Sequence, residues 1–389
     1  MGKWKMVKLG DVCTVVSGST PKSNVDEYWS GCYNWVTPAE LNDDDIIIYE
    51  TQRKITEEAI IATSLKPFPA GTVLLTSRAP IGKVAIAGTE MYCNQGFKNL
   101  ICSNEIYNMY LYWFLKGKTD FLNSLGRGAT FKEISKQIVE QIQIPLPPFD
   151  EQKRIADTFN RISNLIEKRK QQISKLDELV KAMFIEMFGR PEMNVYEWSV
   201  TTLGEVCQIN PKKNQDQRLT QGIMVSFVPM QAVSENGDID LSVTKDYDEV
   251  KNGFTYFAEN DVLFAKITPC MENGKGAIAT GLINGIGFGS TEFHVLRPIC
   301  GITNPYWIYT LTTLPQFRLD AANNMTGSAG QRRVPASFLE EYPVTVPPIE
   351  LQDQYADFVK QISKAKSQVK LGLEKLETLK NALMQEYFG

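Results

Sequence analysis

Histidine is all but absent from this chain: His294 is the single one in 389 residues. That excludes two-His metal sites, zinc-deaminase chemistry and any triad that needs a second histidine. The seven cysteines, Cys13, Cys32, Cys93, Cys102, Cys207, Cys270 and Cys300, contain no C-x-x-C pair. An odd, scattered set fits a reducing compartment and argues against a disulfide framework or a zinc site. No apolar run approaches the roughly 20 residues of a membrane helix, and the first ten residues have no signal-peptide core. A cytoplasmic protein without membrane contact is expected. No G-x-x-x-x-G-K-[ST] occurs, since Pro80-Ile81-Gly82-Lys83 and Asn273-Gly274-Lys275 lack the first glycine and the hydroxyl. Asn304-Pro305-Tyr306-Trp307 has one proline where an adenine-methyltransferase motif has two, and it reads as a helix start. Glu151-Gln152-Lys153 opens a helix instead of closing a strand pair, so it makes no nuclease site, and His294 reads as a packed or surface residue of an alternating strand. No catalytic residue, metal ligand or cofactor site is predicted in this chain.

Strong positive charge is also lacking. The net charge is −4. Residues 1–149 carry 15 basic and 15 acidic groups, and residues 190–349 carry 12 and 17. On its own this argues against tight nonspecific binding to nucleic acid. The acid is partly concentrated in Asn42–Asp45 and Asp238–Glu249. Hydrophobic residues at 43% and charged residues at 22% are those of an ordinary globular protein, and the length suggests two or three domains.

What the chain does have is repetition. Trp4 with Leu9-Gly10-Asp11-Val12-Cys13 returns as Trp198 with Leu203-Gly204-Glu205-Val206-Cys207, and Pro147-Pro148-Phe149-Asp150-Glu151-Gln152 returns as Pro347-Pro348-Ile349-Glu350-Leu351-Gln352. From there residues 150–189 and 350–389 align without a gap and share 13 identities in 40 positions. Between these marks each half reads as short strands and tight turns, a helix (Tyr107–Leu115, Tyr306–Leu314), a Gly-rich basic loop (Gly126–Lys132, Gly327–Arg333) and a strand into the Pro-Pro pair. The prediction is an α+β (mixed α/β) fold of two pseudo-twofold-related globules, residues 1–149 and 190–349. Each is followed by one long helix, residues 150–189 and 350–389.

The helices carry apolar seams. Ile155, Phe159, Ile162, Ile166, Ile173, Leu176, Val180 and Met183 follow a heptad in the first, broken at Arg169. Val359, Ile362, Val369, Leu373, Leu376 and Leu383 follow it in the second, broken at Lys366 and Lys380. Seams of about five heptads predict an antiparallel coiled coil of the two helices, each about 60 Å long, with the globules held apart. The alternative is that each helix packs on its own globule.

The whole chain resembles the specificity subunits of type I restriction–modification systems. The resemblance rests on Leu9-Gly10-Asp11-Val12, Trp35-Val36-Thr37-Pro38, Pro80-Ile81-Gly82-Lys83, Asn94-Gln95-Gly96-Phe97, Pro145-Leu146-Pro147-Pro148 with Glu151-Gln152, and echoes such as Gly289-Ser290-Thr291-Glu292-Phe293. The second half departs from it where Phe227-Val228-Pro229 stands for the Trp35 motif and Leu351 for the glutamate. The resemblance implies a non-catalytic subunit with two target-recognition domains, each reading one half of a bipartite, asymmetric site in double-stranded DNA. It implies that the helix pair sets the spacer and docks methyltransferase subunits, two per chain, with motor-nuclease subunits joining the complex. S-adenosylmethionine, ATP and magnesium would then belong to those partners. Two such readers suit half-sites about one helical turn, ~34–36 Å, apart. Rival readings are a coiled-coil scaffold or anti-restriction decoy, and a self-sufficient methyltransferase or nuclease.

Phosphate contacts are expected from the Gly-rich loops: Arg127, Thr130 and Lys132, and Gln331, Arg332 and Arg333. Base readers are expected among Arg78, Lys83, Asn94, Gln95 and Lys98, and Lys266, Lys275 and Ser290. Given the charge balance, the partner methyltransferase is expected to supply much of the phosphate grip.

Overall fold

The computed structural model describes residues 4–42, 46–78, 80–128, 132–328 and 330–389. They form two compact units, Met1–Lys170 with Leu371–Gly389, and Gln171–Lys370. The division runs through both long helices, so each unit holds a globule, the start of the helix that follows it and the end of the other helix.

In the first unit, β1 (Met6–Lys8), α1 (Leu9–Val12) and β2 (Cys13–Val16) are followed by β3 (Trp29–Val36), β4 (Ile47–Ile48), β5 (Lys54–Ile55), α2 (Glu57–Thr63), β6 (Val73–Leu75), β7 (Val84–Ala87), β8 (Tyr92–Cys93) and β9 (Asn99–Cys102). Then come α3 (Asn108–Lys116), α4 (Thr119–Leu125), α5 (Lys136–Gln141), β10 (Gln143–Pro145) and the 40-residue α6 (Phe149–Phe188). The main sheet has the order β2-β9-β6-β7-β4, a smaller one β5-β3-β8, and β1 pairs with β10. The strands β6 and β7 are buried throughout, as runs covered on both faces must be. The helix α3 is apolar nearly all round because it lies inside, with Tyr110 to Leu115 all buried.

The second unit repeats this plan. It runs through β11 (Val200–Thr202), α7 (Leu203–Val206), β12 (Cys207–Ile209), β13 (Met224–Val228), β14 (Thr244–Asp246), α8 (Tyr247–Val250), β15 (Thr255–Ala258), β16 (Val262–Ala265), β17 (Gly276–Ile278), β18 (Ile286–Gly289) and β19 (Phe293–Pro298). Next are α9 (Pro305–Thr313), α10 (Pro315–Asn323), α11 (Ala336–Glu341), β20 (Pro343–Thr345) and the 40-residue α12 (Ile349–Phe388). The order β12-β19-β16-β17 reproduces β2-β9-β6-β7, and the parallel pair β13/β18 reproduces β3/β8. Short helices α5 and α11 precede strands β10 and β20, where the sequence suggested strand alone.

The seams are covered, and in a way the spacing alone did not reveal. In the first unit Ile155, Phe159, Ile162 and Ile166 are buried and Leu373, Leu376 and Leu383 half-buried. The Phe159 ring is sandwiched between Trp113 of α3 (5.5 Å) and Phe388 near the end of α12 (5.7 Å). In the second unit Val359 and Val369 are buried, with Ile173, Leu176, Val180, Met183 and Ile362 half-buried. Tyr355 meets Phe184 and Phe188, and Lys366 meets Asp177 at 2.5 Å, so these segments of α6 and α12 run antiparallel. Helix–helix and helix–globule packing are therefore both present in each unit. Lys366 and Lys380, which interrupt the heptad on paper, are used: the first is buried against its carboxylate, and the second lies 5.0 Å over the Trp113 ring.

Candidate nucleic-acid interface

The Gly-rich loops close as small hairpins pinned to the main sheets. In the first unit Arg127 and Glu133 exchange two backbone hydrogen bonds of 3.0 Å, and the Ile134 amide donates to the Ser77 carbonyl. In the second, Thr326 and Arg333 exchange the same pair of bonds, and the Val334 amide donates to the Lys266 carbonyl. Position 133 thus corresponds to position 333.

A charged clasp stands behind each hairpin, with opposite polarity. The Glu133 carboxylate takes Arg78 Nε at 3.0 Å and Lys98 Nζ at 3.2 Å. Arg333 instead forks onto Glu292 through Nε at 2.9 Å and Nη2 at 2.8 Å. Burial pushes the Glu133 carboxyl up, but hydrogen bonds and charge from Lys98 and Arg78 outweigh it and hold the group below its ordinary range. Hydrogen bonding from Arg333 holds Glu292 low as well, against partial burial. Burial lowers the neighbouring Lys266.

The expected contact residues divide accordingly. Arg127, Lys132, Gln331 and Arg332 are exposed on the loops, Arg332 within 3.3 Å of Glu272. Thr130 lies outside the described residues. Arg78 is exposed but clasped, Arg333 half-exposed and clasped, and Gln95 is exposed and accepts from Thr20. Lys98 is buried, bonded to Glu133 and Ser77. Lys266 is half-buried, and the side chains of the other four turn residues hold backbone. Lys83 Nζ donates to the Leu41 carbonyl at 2.8 Å, Lys275 Nζ to Met230 at 3.5 Å, Asn94 Oδ1 accepts from the Gly96 amide, and Ser290 Oγ from Glu292. Residue type and loop context pointed neither to Glu133 and Glu292, the acids that position these cations, nor to Arg53, an exposed guanidinium stacked on Trp29 outside the Gly-rich loops.

His294 is buried. Its Nε2 donates to the Val334 carbonyl at 2.8 Å and its Nδ1 faces the Asn210 amide at 3.0 Å. Burial lowers its pKa below the ordinary value, with Lys266 adding to the effect. The unfolded chain therefore takes up this proton more readily than the folded one, and stability is lost as pH falls below about 6.5. The second unit is expected to melt at lower temperature at about pH 5.5 than at about pH 7.5, and His294→Gln to flatten that difference.

The Pro-Pro motifs also acquire a mechanical meaning. Gln152 is fully buried in the first turn of α6; its Nε2 donates to the Glu105 and Pro147 carbonyls, each at 2.9 Å, and its Oε1 accepts from the Tyr107 amide at 2.8 Å. Gln352 repeats this with Ile302, Pro347 and the Asn304 amide. Each glutamine fixes a long helix to the loop that starts the central helix of its globule.

Among the described residues no group of three or more His, Cys, Asp or Glu side chains is placed to hold a metal ion, and no helix is long and apolar enough to cross a membrane. The family model for the type I restriction modification DNA specificity domain matches the chain twice, over residues 1–177 and 196–378. The chain belongs to the type I restriction–modification specificity family. The relatives it matches are named type I restriction enzyme specificity subunits. The chain is similar to the MjaIX specificity subunit of Methanocaldococcus jannaschii, 38% identical over 234 residues that make up 55% of this chain and 54% of that protein. It is also similar to the EcoAI specificity subunit of Escherichia coli, 42% identical over 159 residues, 40% of this chain and 26% of that one. The matched lengths are thus about half or less of these specificity subunits. Among solved structures, the S subunit of a type I system from M. genitalium superimposes with a TM-score of 0.56 at 14% identity, covering 100% of this chain and 96% of that one. A chain from a type I R-M system studied for its assembly and conformational transition gives 0.59 at 18% identity, covering 99% and 97%. These likenesses establish the fold.

Proposed function

We propose that this chain is the DNA-recognition subunit of a type I restriction–modification complex. Each globule, residues 1–149 and 190–349, is a target-recognition domain that reads one half of a bipartite, asymmetric site. The paired helices set the spacer and dock two methyltransferase subunits, and motor-nuclease subunits join through the complex. Methyl transfer with S-adenosylmethionine, and ATP and magnesium chemistry, belong to those partners in the cytoplasm. The observation that carries this reading is the duplication of one plan, hairpin, clasp and helix lock included, with different exposed side chains on the two copies. Arg127, Lys132, Gln331 and Arg332 are the leading phosphate contacts, because they are exposed beside the backbone pairs that close the two loops.

The test replaces residues 1–145 with the first globule of another family member and maps methylated sites in cells carrying the complex. One half of the methylated motif should change and the other half and the spacer should persist. If both halves persist, the chain is a scaffold or decoy; methyl transfer by the purified chain alone would instead make it an enzyme.

A further inference from the structure

Resting on that reading, we propose that Arg53 is a base-specifying residue of the first unit, presenting its guanidinium fork to a guanine edge from a tryptophan platform. Its guanidinium carbon sits 3.8 Å over the Trp29 ring and 5.4 Å from that of Trp35. The residue is exposed, and among the described residues it makes no ion pair with a carboxylate. This separates it from Arg78, Arg218, Arg297, Arg332 and Arg333, each of which faces an acid.

Stacking uses the face of a guanidinium and leaves its five N–H donors in the plane. An arginine stacked on indole is therefore held without losing a donor, which is the state that bidentate contact with guanine O6 and N7 requires.

The platform is rigid. Trp29 and Trp35 meet edge to face at 5.2 Å, Trp35 Nε1 donates to the Ser19 carbonyl and Trp29 Nε1 to that of Lys22, both at 3.2 Å. The Arg53 carbonyl accepts from the Trp35 amide at 3.3 Å and from Thr51 Oγ1 at 2.7 Å, so its backbone is fixed too. A register shift in the β3/β5 pair between Trp29 and Tyr33 sets Trp29 beside β5. The segment that takes the indole hydrogen bonds also reaches the Asn94–Gly96 turn, through Thr20 on Gln95 and the Ser19 amide on the Cys93 carbonyl. That turn accepts from Ser77, next to the clasped Arg78. Arg53 thus shares one loop cluster with the turn and hairpin assigned to DNA.

A phosphate would need only the charge, and lysine would serve; a base edge needs the planar fork. The full chain, assembled with its methyltransferase partner in cells, is therefore compared as wild type, Arg53→Ala and Arg53→Lys by mapping methylated sites. The expected result is that both variants relax one G·C position in one half of the motif, roughly 5- to 150-fold in discrimination, and leave the other half and the spacer unchanged. Wild-type behaviour of Arg53→Lys with uniformly weaker methylation by Arg53→Ala identifies a phosphate contact and overturns the proposal. So does an unchanged motif in both variants. Loss of all methylation by both, with melting temperatures lowered, assigns Arg53 to folding and also overturns it. A wild-type complex whose methylated sites share no two-part motif defeats the recognition reading itself.

Discussion

Replacing Gln152 with leucine is expected to cost the first unit about 3–5 kcal/mol, and Gln352→Leu the same in the second. Each buried amide satisfies two carbonyls and one backbone N–H, the Pro147 or Pro347 carbonyl through a buried bond and the other two through part-buried ones. Leaving one such group unpaired costs about 1–3 kcal/mol, and leucine leaves all three. The added apolar side chain recovers only part of this. Gln152→Glu is an informative companion: it keeps the acceptor for Tyr107 but loses both donors and sets an acidic oxygen against two carbonyls. It is expected to do no better than leucine. Urea unfolding followed by circular dichroism measures the shift in midpoint. A loss below about 1 kcal/mol would mean that the helix start is held by the Pro-Pro geometry alone.

The second large effect is expected at the next-to-last residue. Phe388→Ala should destabilise the first unit by about 3–5 kcal/mol, the range for removing a buried aromatic ring. Its ring is buried among Tyr110, Phe114 and Phe159, with centroids 5.3, 5.8 and 5.7 Å away. Removing it opens a cavity bounded by three aromatic faces that cannot collapse onto one another. Phe388→Met, closer in volume, is expected to cost less than half as much. Melting of the two variants beside wild type decides it; equal midpoints for Phe388→Ala and wild type would place the end of α12 outside the core.

The duplication, the mixed strand-and-helix plan and both long helices were legible in the sequence. Spacing predicted helices at 150–189 and 350–389, and they run Phe149–Phe188 and Ile349–Phe388, the first stopped by Gly189 with φ +73°. The buried helix of the first half is displaced by one residue, at Asn108–Lys116. Short helices such as Thr119–Leu125 and Pro315–Asn323 escaped because seven to nine residues give less than three turns of periodicity. An apolar stripe says that a face is covered but not by what. Hence the closing Phe-Gly of each half was visible as a repeat, while its place in an aromatic core was not. At the candidate site the cations could be found by type and loop context. Which of them are exposed, which are clasped and which support backbone depends on acids and carbonyls far along the chain, such as Glu133 for Lys98 and Leu41 for Lys83.

The opposed polarity of the two clasps bears on how such proteins can be recombined. Grafting the hairpin of one half into the other would set an arginine from position 333 against Arg78 and Lys98, and a glutamate from position 133 against Glu292. Like charges would meet at both junctions. A hairpin and its clasp partners therefore form one electrostatic cassette, and a crossover inside residues 78–133 of the first half or 292–333 of the second is expected to break it.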